Sequence, residues 1–181
     1  IDYRADGKNM VVTSDATEAY QLVWEDVQRV WRTLIYLKPD VLLIFDQVKL
    51  AKAAPIQLRY QIYNDDENGQ GEAMDDGFAI TRPYAHLRAK VLASGETSIK
   101  TGRIDLPLAE GEHPLIEVES ASATEHTVLT GCLAQKSGLE PGELNLQQDG
   151  DTWLISGAHN DLEVEVKIEQ NTTNPPKVTV S

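Results

Sequence analysis

Cysteine is almost missing from this chain: Cys132 is the only one in 181 residues. An internal disulfide is therefore excluded. The thiol sits in the apolar run Val128 to Ala134, where a cysteine ordinarily acts as a small buried hydrophobe. A nucleophilic thiol needs a base at hand, and His126 is the only local histidine. On a strand the two share a face but stand about 20 Å apart. Basic residues are also scarce, with 16 Lys and Arg against 29 Asp and Glu and a formal net charge of -13. Nucleic acid is bound by clustered cations, and no such cluster occurs, so no nucleic-acid partner is expected. Long apolar runs are missing too. None approaches the roughly 20 residues that span a bilayer, and no membrane partner is expected. The chain opens at Ile1-Asp2-Tyr3 with no initiator methionine and no signal-peptide pattern, and it reads as a C-terminal piece of a larger protein.

The histidines His86, His113, His126 and His159 form no H-x-H or H-E-x-x-H pair, so no local zinc motif is present. The acidic loop Asp65-Asp66-Glu67-Asn68-Gly69 lacks the alternate ligand spacing of a calcium loop and reads as a solvated turn. Neither a metal nor a cofactor is expected. Helix signals are weak. The best window is Ala16 to Val27, with Ser14 or Asp15 as a cap and Glu18 near the third helical position. Tyr20, Val23 and Trp24 make no wide stripe, so the window is read as irregular or strand.

What the chain has in quantity is period two. Leu162, Val164, Val166 and Ile168 alternate with Glu163, Glu165, Lys167 and Glu169, giving one apolar and one charged face. Leu58, Tyr60 and Ile62 alternate with Arg59 and Gln61 in the same way. Val41 to Phe45 is continuously apolar, as in a strand covered on both faces. Turn residues punctuate these runs. Asp75-Asp76-Gly77 predicts a hairpin in which Asp-Gly supplies positive φ. Gly111-Glu112-His113-Pro114, Gly138 to Gly142, Gln148 to Asp151 and Asn171 to Pro176 are further breaks, before a last strand at Val178-Thr179-Val180. Strands at roughly ten-residue spacing predict an all-β fold, an antiparallel β-sandwich with little helix, over 1–181 as one domain.

Several residues are candidates for a site. Arg82, Tyr84 and His86 bring a cation, a phenol and an imidazole into one short segment, the types that bind a sugar acid. The same segment also reads as the start of an edge strand, with Pro83 where no donor is needed. Trp24, Trp31 and Trp153 are able to stack on sugar rings, although core packing is the default for Trp31 and Trp153. His159-Asn160-Asp161 reads as a polar turn, and Asn171-Thr172-Thr173 matches the short N-glycosylation pattern. Asp46 ends the apolar run and must be hydrogen-bonded or paired. Arg32 falls roughly opposite Phe45 or Asp46 in a hairpin centred near Lys38-Pro39, and backbone N–H groups of the following turn are the alternative partner. Either way Arg32 and Asp46 are structural residues.

The block Val30 to Val48 holds an Arg-bearing strand, a Lys-Pro-Asp turn, an apolar strand and Asp46. It resembles the C-terminal β-sandwich of heparinase II/III-like polysaccharide lyases. Asp15-Ala16 and Ala19-Tyr20 fit the run into that block. Glu125 to Leu133 looks like the family's late strand, and Trp153 to Ile168 like its closing hairpin. The resemblance implies a supersandwich-like fold and a bacterial protein, periplasmic or secreted. It also implies an N-terminal helical toroid as this domain's partner. In that family the toroid supplies Tyr, His and Asn groups that cleave acidic polysaccharides by β-elimination. A contributing sandwich His, in a His-x-Asp-like segment, belongs upstream of Ile1, so no catalytic residue is assigned to this chain. β-Elimination beside a uronate needs a group to neutralise the carboxylate, a base for the C5 proton and an acid for the leaving oxygen. Only Arg82, Tyr84 and His86 form a local set of those types. The expected role is a non-catalytic domain that braces the toroid and its acidic-glycan cleft. A stand-alone carbohydrate-binding module and a purely structural domain are the alternatives.

Overall fold

A computed structural model describes residues 2–104 and 113–181. Of the described residues 69% are strand and 3% helix, and the antiparallel sheets are not closed. The strands are β1 (Asp2–Ala5), β2 (Asn9–Asp15), β3 (Val27–Leu37), β4 (Val41–Ala54), β5 (Gln57–Gln61), β6 (Gln70–Met74), β7 (Gly77–Arg82) and β8 (Ala85–Ala93). They continue as β9 (Thr97–Ile104), β10 (His113–Ser120), β11 (Ala123–Lys136), β12 (Glu143–Asp149), β13 (Thr152–His159), β14 (Leu162–Glu169) and β15 (Lys177–Val180). The one helix among the described residues, α1 (Thr17–Gln21), joins β2 to β3.

An eight-stranded central sheet runs in the order β1-β2-β3-β4-β11-β8-β7-β6. A four-stranded sheet, β12-β13-β14-β15, lies on one of its faces, and a three-stranded sheet, β5-β10-β9, lies on the other. Alternation along β4 produces this layering. Val41, Leu43 and Phe45 face the four-stranded sheet, where Trp153, Ile155, Val164, Val166 and Ile168 meet them. Phe45 and Trp153 pack edge to face with ring centroids 5.4 Å apart. Leu42 points the other way, into a smaller cluster with Phe78, Ala89, Ile116, Val118 and Cys132. There Tyr60 packs on Phe78 at 4.8 Å and its hydroxyl bonds Thr130 Oγ1 at 2.7 Å.

The two covers are staggered. The four-stranded sheet packs on core residues of β2, β3, β4 and β11, with Leu92 of β8 at its margin. The three-stranded sheet packs on residues of β4, β11, β8 and β7. On the face that carries Asp46, no strand layer among the described residues lies above the β2–β3 side of the sheet.

Three local expectations are corrected. The window Ala16 to Val27 is neither strand nor wholly irregular, because it contains α1. Asp15 Oδ1 takes the Thr17 N–H at 2.9 Å and the Thr17 hydroxyl at 2.5 Å, starting the turn that reverses the chain into β3. Asp75 and Asp76 do form the turn of the β6–β7 hairpin, but Gly77 is outside the positive-φ residues. It is glycine for space: a Cβ there would stand 1.9 Å from the Ala89 carbonyl oxygen. His113 and Pro114 are the first residues of β10 rather than a break, while Gly111 and Glu112 lie outside the described residues. Elsewhere the turns fall as expected, as at the Gly150-Asp151 loop between β12 and β13, where Gly150 has φ +56. No helix among the described residues is long and apolar enough to cross a membrane.

Candidate functional site

The β3–β4 hairpin closes through Lys38-Pro39-Asp40, with a cis peptide between Lys38 and Pro39, and this register sets Arg32 opposite Asp46. Arg32 Nε donates to Asp46 Oδ1 at 2.7 Å and Nη2 donates to Oδ2 at 3.1 Å. The fork leaves Nη1 with no protein partner among the described residues. The carboxylate side chain is 6% exposed and the guanidinium 48% exposed. Burial pushes the Asp46 carboxyl up from its ordinary value, while the hydrogen bonds and charge of Arg32 pull it down. The Asp46 hydrogen bond raises the Arg32 guanidinium. This bidentate, half-buried pair holds a cation in one orientation.

The pair lines a cleft of ≈ 370 Å³ over the face left open by the three-stranded sheet. Tyr20 and Trp24 line it from α1 and the turn after it. Val30, Val48 and Leu50 line it from β3 and β4, and Ile56, Gln57 and Leu58 from the start of the three-stranded layer. Tyr20, Leu22, Val23 and Trp24 are all exposed, so α1 and its exit turn present an apolar edge beside the cleft. In the sequence this segment shows as apolar residues without a helical stripe. That pattern marks apolar groups with no core to enter.

The structure does not bring Arg82, Tyr84 and His86 together. Arg82 donates to the Tyr63 carbonyl and to Asp66 Oδ2, each at 2.7 Å, and lies over the Tyr63 ring. That guanidinium holds the Asp66 carboxyl below its ordinary value. Tyr84 projects from the β7–β8 turn, 88% exposed. Arg82 is opposite Ala85 and Thr81 is opposite His86, so alternation puts Arg82 and His86 on opposite faces of the sheet.

The remaining candidates serve the fold. Burial pushes the Cys132 thiol up to about 12, which keeps it protonated and poorly nucleophilic near neutrality. His126 Nε2 reaches the carbonyls of Ala54 and Ala123 at 3.0 Å, so it carries the proton, and Nδ1 accepts from the Ser120 hydroxyl at 3.0 Å. His159-Asn160-Asp161 has the His-x-Asp spelling, but His159 is buried and ties two segments together. Its Nδ1 accepts the Gly142 N–H at 3.0 Å and its Nε2 donates to the Ala134 carbonyl at 2.7 Å. Trp153 is core, with Nε1 donating to Gln170. Trp31 is half-buried beneath the Arg29 guanidinium. No group of three or more His, Cys, Asp or Glu among the described residues is arranged to hold a metal ion.

The fold is that of an open, antiparallel β-sandwich, and it recurs in solved polysaccharide-cleaving proteins. A heparinase III gene product aligns over 93% of this chain with a TM-score of 0.68 and 10% identity. Heparan sulfate lyase HepC from Pedobacter heparinus aligns over 99% of it with a TM-score of 0.67 and 10% identity, and a HepC mutant over 96% with a TM-score of 0.70 and 11% identity. The alignments cover 27%, 27% and 28% of those chains, so this chain has the fold of about a quarter of each. No family model matches the chain, and no curated protein matches it.

Proposed function

We propose that this chain is the β-sandwich support domain of a polysaccharide lyase of the heparinase kind. The reading rests chiefly on one observation: nearly the whole chain shares a fold with heparinase III and heparan sulfate lyase structures, yet spans only 27% of each. The β-elimination itself, the acidic glycan it acts on and a periplasmic or secreted location belong to the larger protein. The partner of this domain is the helical domain that carries the chemistry. The geometry supports a bracing role. The residue types that β-elimination requires are dispersed here, with Arg82 engaged by Asp66 and His86 on the other face.

The test is to express the full reading frame that encodes this chain and assay it on heparan sulfate, hyaluronan and alginate. Elimination is followed by the ultraviolet absorbance of the unsaturated product. The full-length protein is expected to turn over at least one of these glycans and to lose that activity when residues 1–181 are deleted. A full-length protein inactive on every acidic glycan would sink the reading.

A further inference from the structure

We infer that the cleft between α1 and the Arg32–Asp46 pair binds a pyranose ring of a glycan. This deepens the reading above by giving the domain its own contact with sugar, and it rests on the cleft's residues.

Three features of the cleft carry the inference. Its volume of ≈ 370 Å³ lies at the small end of the range for ligand pockets, roughly 300–1,000 Å³. Its walls are mostly apolar, and two aromatic rings, Tyr20 and Trp24, line it while remaining substantially exposed. A pyranose presents a flat C–H face that packs on such rings, and an aromatic residue with a wet edge suits a ligand that is apolar on one side only. Asp46 and Arg32 are the only charged residues among the described ones that line it. Asp46 is itself 5% exposed and both its oxygens are used to hold Nε and Nη2 of Arg32. Nη1 is left as an oriented donor toward an acceptor oxygen of the ring.

The chemistry also limits the ligand. Arg32 is already neutralised by Asp46, so the cleft has no net charge, and the chain as a whole carries -13. Recognition therefore depends on ring stacking and directed hydrogen bonds, with the Arg32 acceptor supplied by a sugar hydroxyl or a uronate carboxylate.

Calorimetric titration of the purified chain with cellotetraose and, separately, with an unsulfated glucuronate-containing tetrasaccharide tests this. Saturable binding of either is expected. Trp24→Ala should weaken it about tenfold or more and Trp24→Phe should restore most of it. Each variant is checked for an unchanged denaturant midpoint. Tyr20→Ala is the second variant, expected to weaken binding in the same direction. Binding that persists in high salt assigns a hydroxyl to Arg32, and binding that salt abolishes assigns the carboxylate. No heat with either ligand at millimolar concentration overturns the inference, as does binding that Trp24→Ala leaves unchanged. Concentration-dependent self-association that Trp24→Ala abolishes also overturns it, because a second copy then fills the cleft. None of these results bears on lyase activity of the full-length protein, so this inference and the proposed function fail separately.

Discussion

Strand β4 serves two regions of different character. Its odd residues Val41, Leu43 and Phe45 lie under the four-stranded sheet and are completely buried around Trp153. Its even residue Asp46 faces the other way, onto the cleft beside Tyr20 and Trp24. The closed region is apolar and filled, the packing that resists change. The open region has half-covered apolar walls, exposed aromatic rings and one ion pair. A single strand thus provides the rigidity of the domain on one side and a concave, chemically varied surface on the other.

The comparison breaks first at Trp153. Trp153→Ala removes the largest side chain of the closed region and is expected to cost about 3–5 kcal/mol, read from the denaturant midpoint. A cost near zero would mean the four-stranded sheet contributes little to stability. Asp46→Ala, on the open side, should cost less, about 1–3 kcal/mol, the usual penalty for losing a buried polar partner. A double-mutant cycle with Arg32→Ala should show coupling above roughly 0.5 kcal/mol. The more exposed pair, Arg82 with Asp66, serves as the control, and Asp66→Ala should shift the midpoint less than Asp46→Ala does.

Titration sharpens the same contrast, with opposite signs. Arg82 lowers the Asp66 carboxyl from 3.8, so its share of stability is present above that value and is lost as pH falls through the lower folded value. Burial raises Asp46 from 3.8, so its share is complete at low pH and is lost as pH rises through the folded value. Carboxyl-carbon NMR should place the Asp46 midpoint above 3.8 and the Asp66 midpoint below it. Matching midpoints would remove the distinction. The smallest expected effect is at Trp24. Trp24→Ala should change stability by less than about 0.5 kcal/mol, because the ring is partly exposed and belongs to neither core cluster.

Much of this contrast was legible in the residues. Period two identified β14, and the compact Lys38-Pro39-Asp40 turn put Arg32 near Asp46 because register in a hairpin follows from the loop. What stayed hidden depends on long-range pairing. Strand β11 sits between β4 and β8, and no local pattern reveals that insertion. The staggering of the two covers, and hence the cleft, follows from that order. Arg82 and His86 share a short segment, but the two-residue turn at Pro83-Tyr84 puts Arg82 opposite Ala85 and turns His86 to the other face. Gly77 reads as a turn glycine, yet its need comes from the Ala89 carbonyl of the neighbouring strand. The short α1 has too few residues to show a helical period.

The proposed role is that of a domain that supports a glycan-cleaving protein without performing the cleavage. Its most direct test is the isolated, folded chain incubated with heparan sulfate, hyaluronan and alginate, with the ultraviolet absorbance of unsaturated products recorded over time. A flat trace on all three is expected. Turnover that disappears in His86→Ala would contradict it and make the segment from Arg82 to His86 a catalytic site.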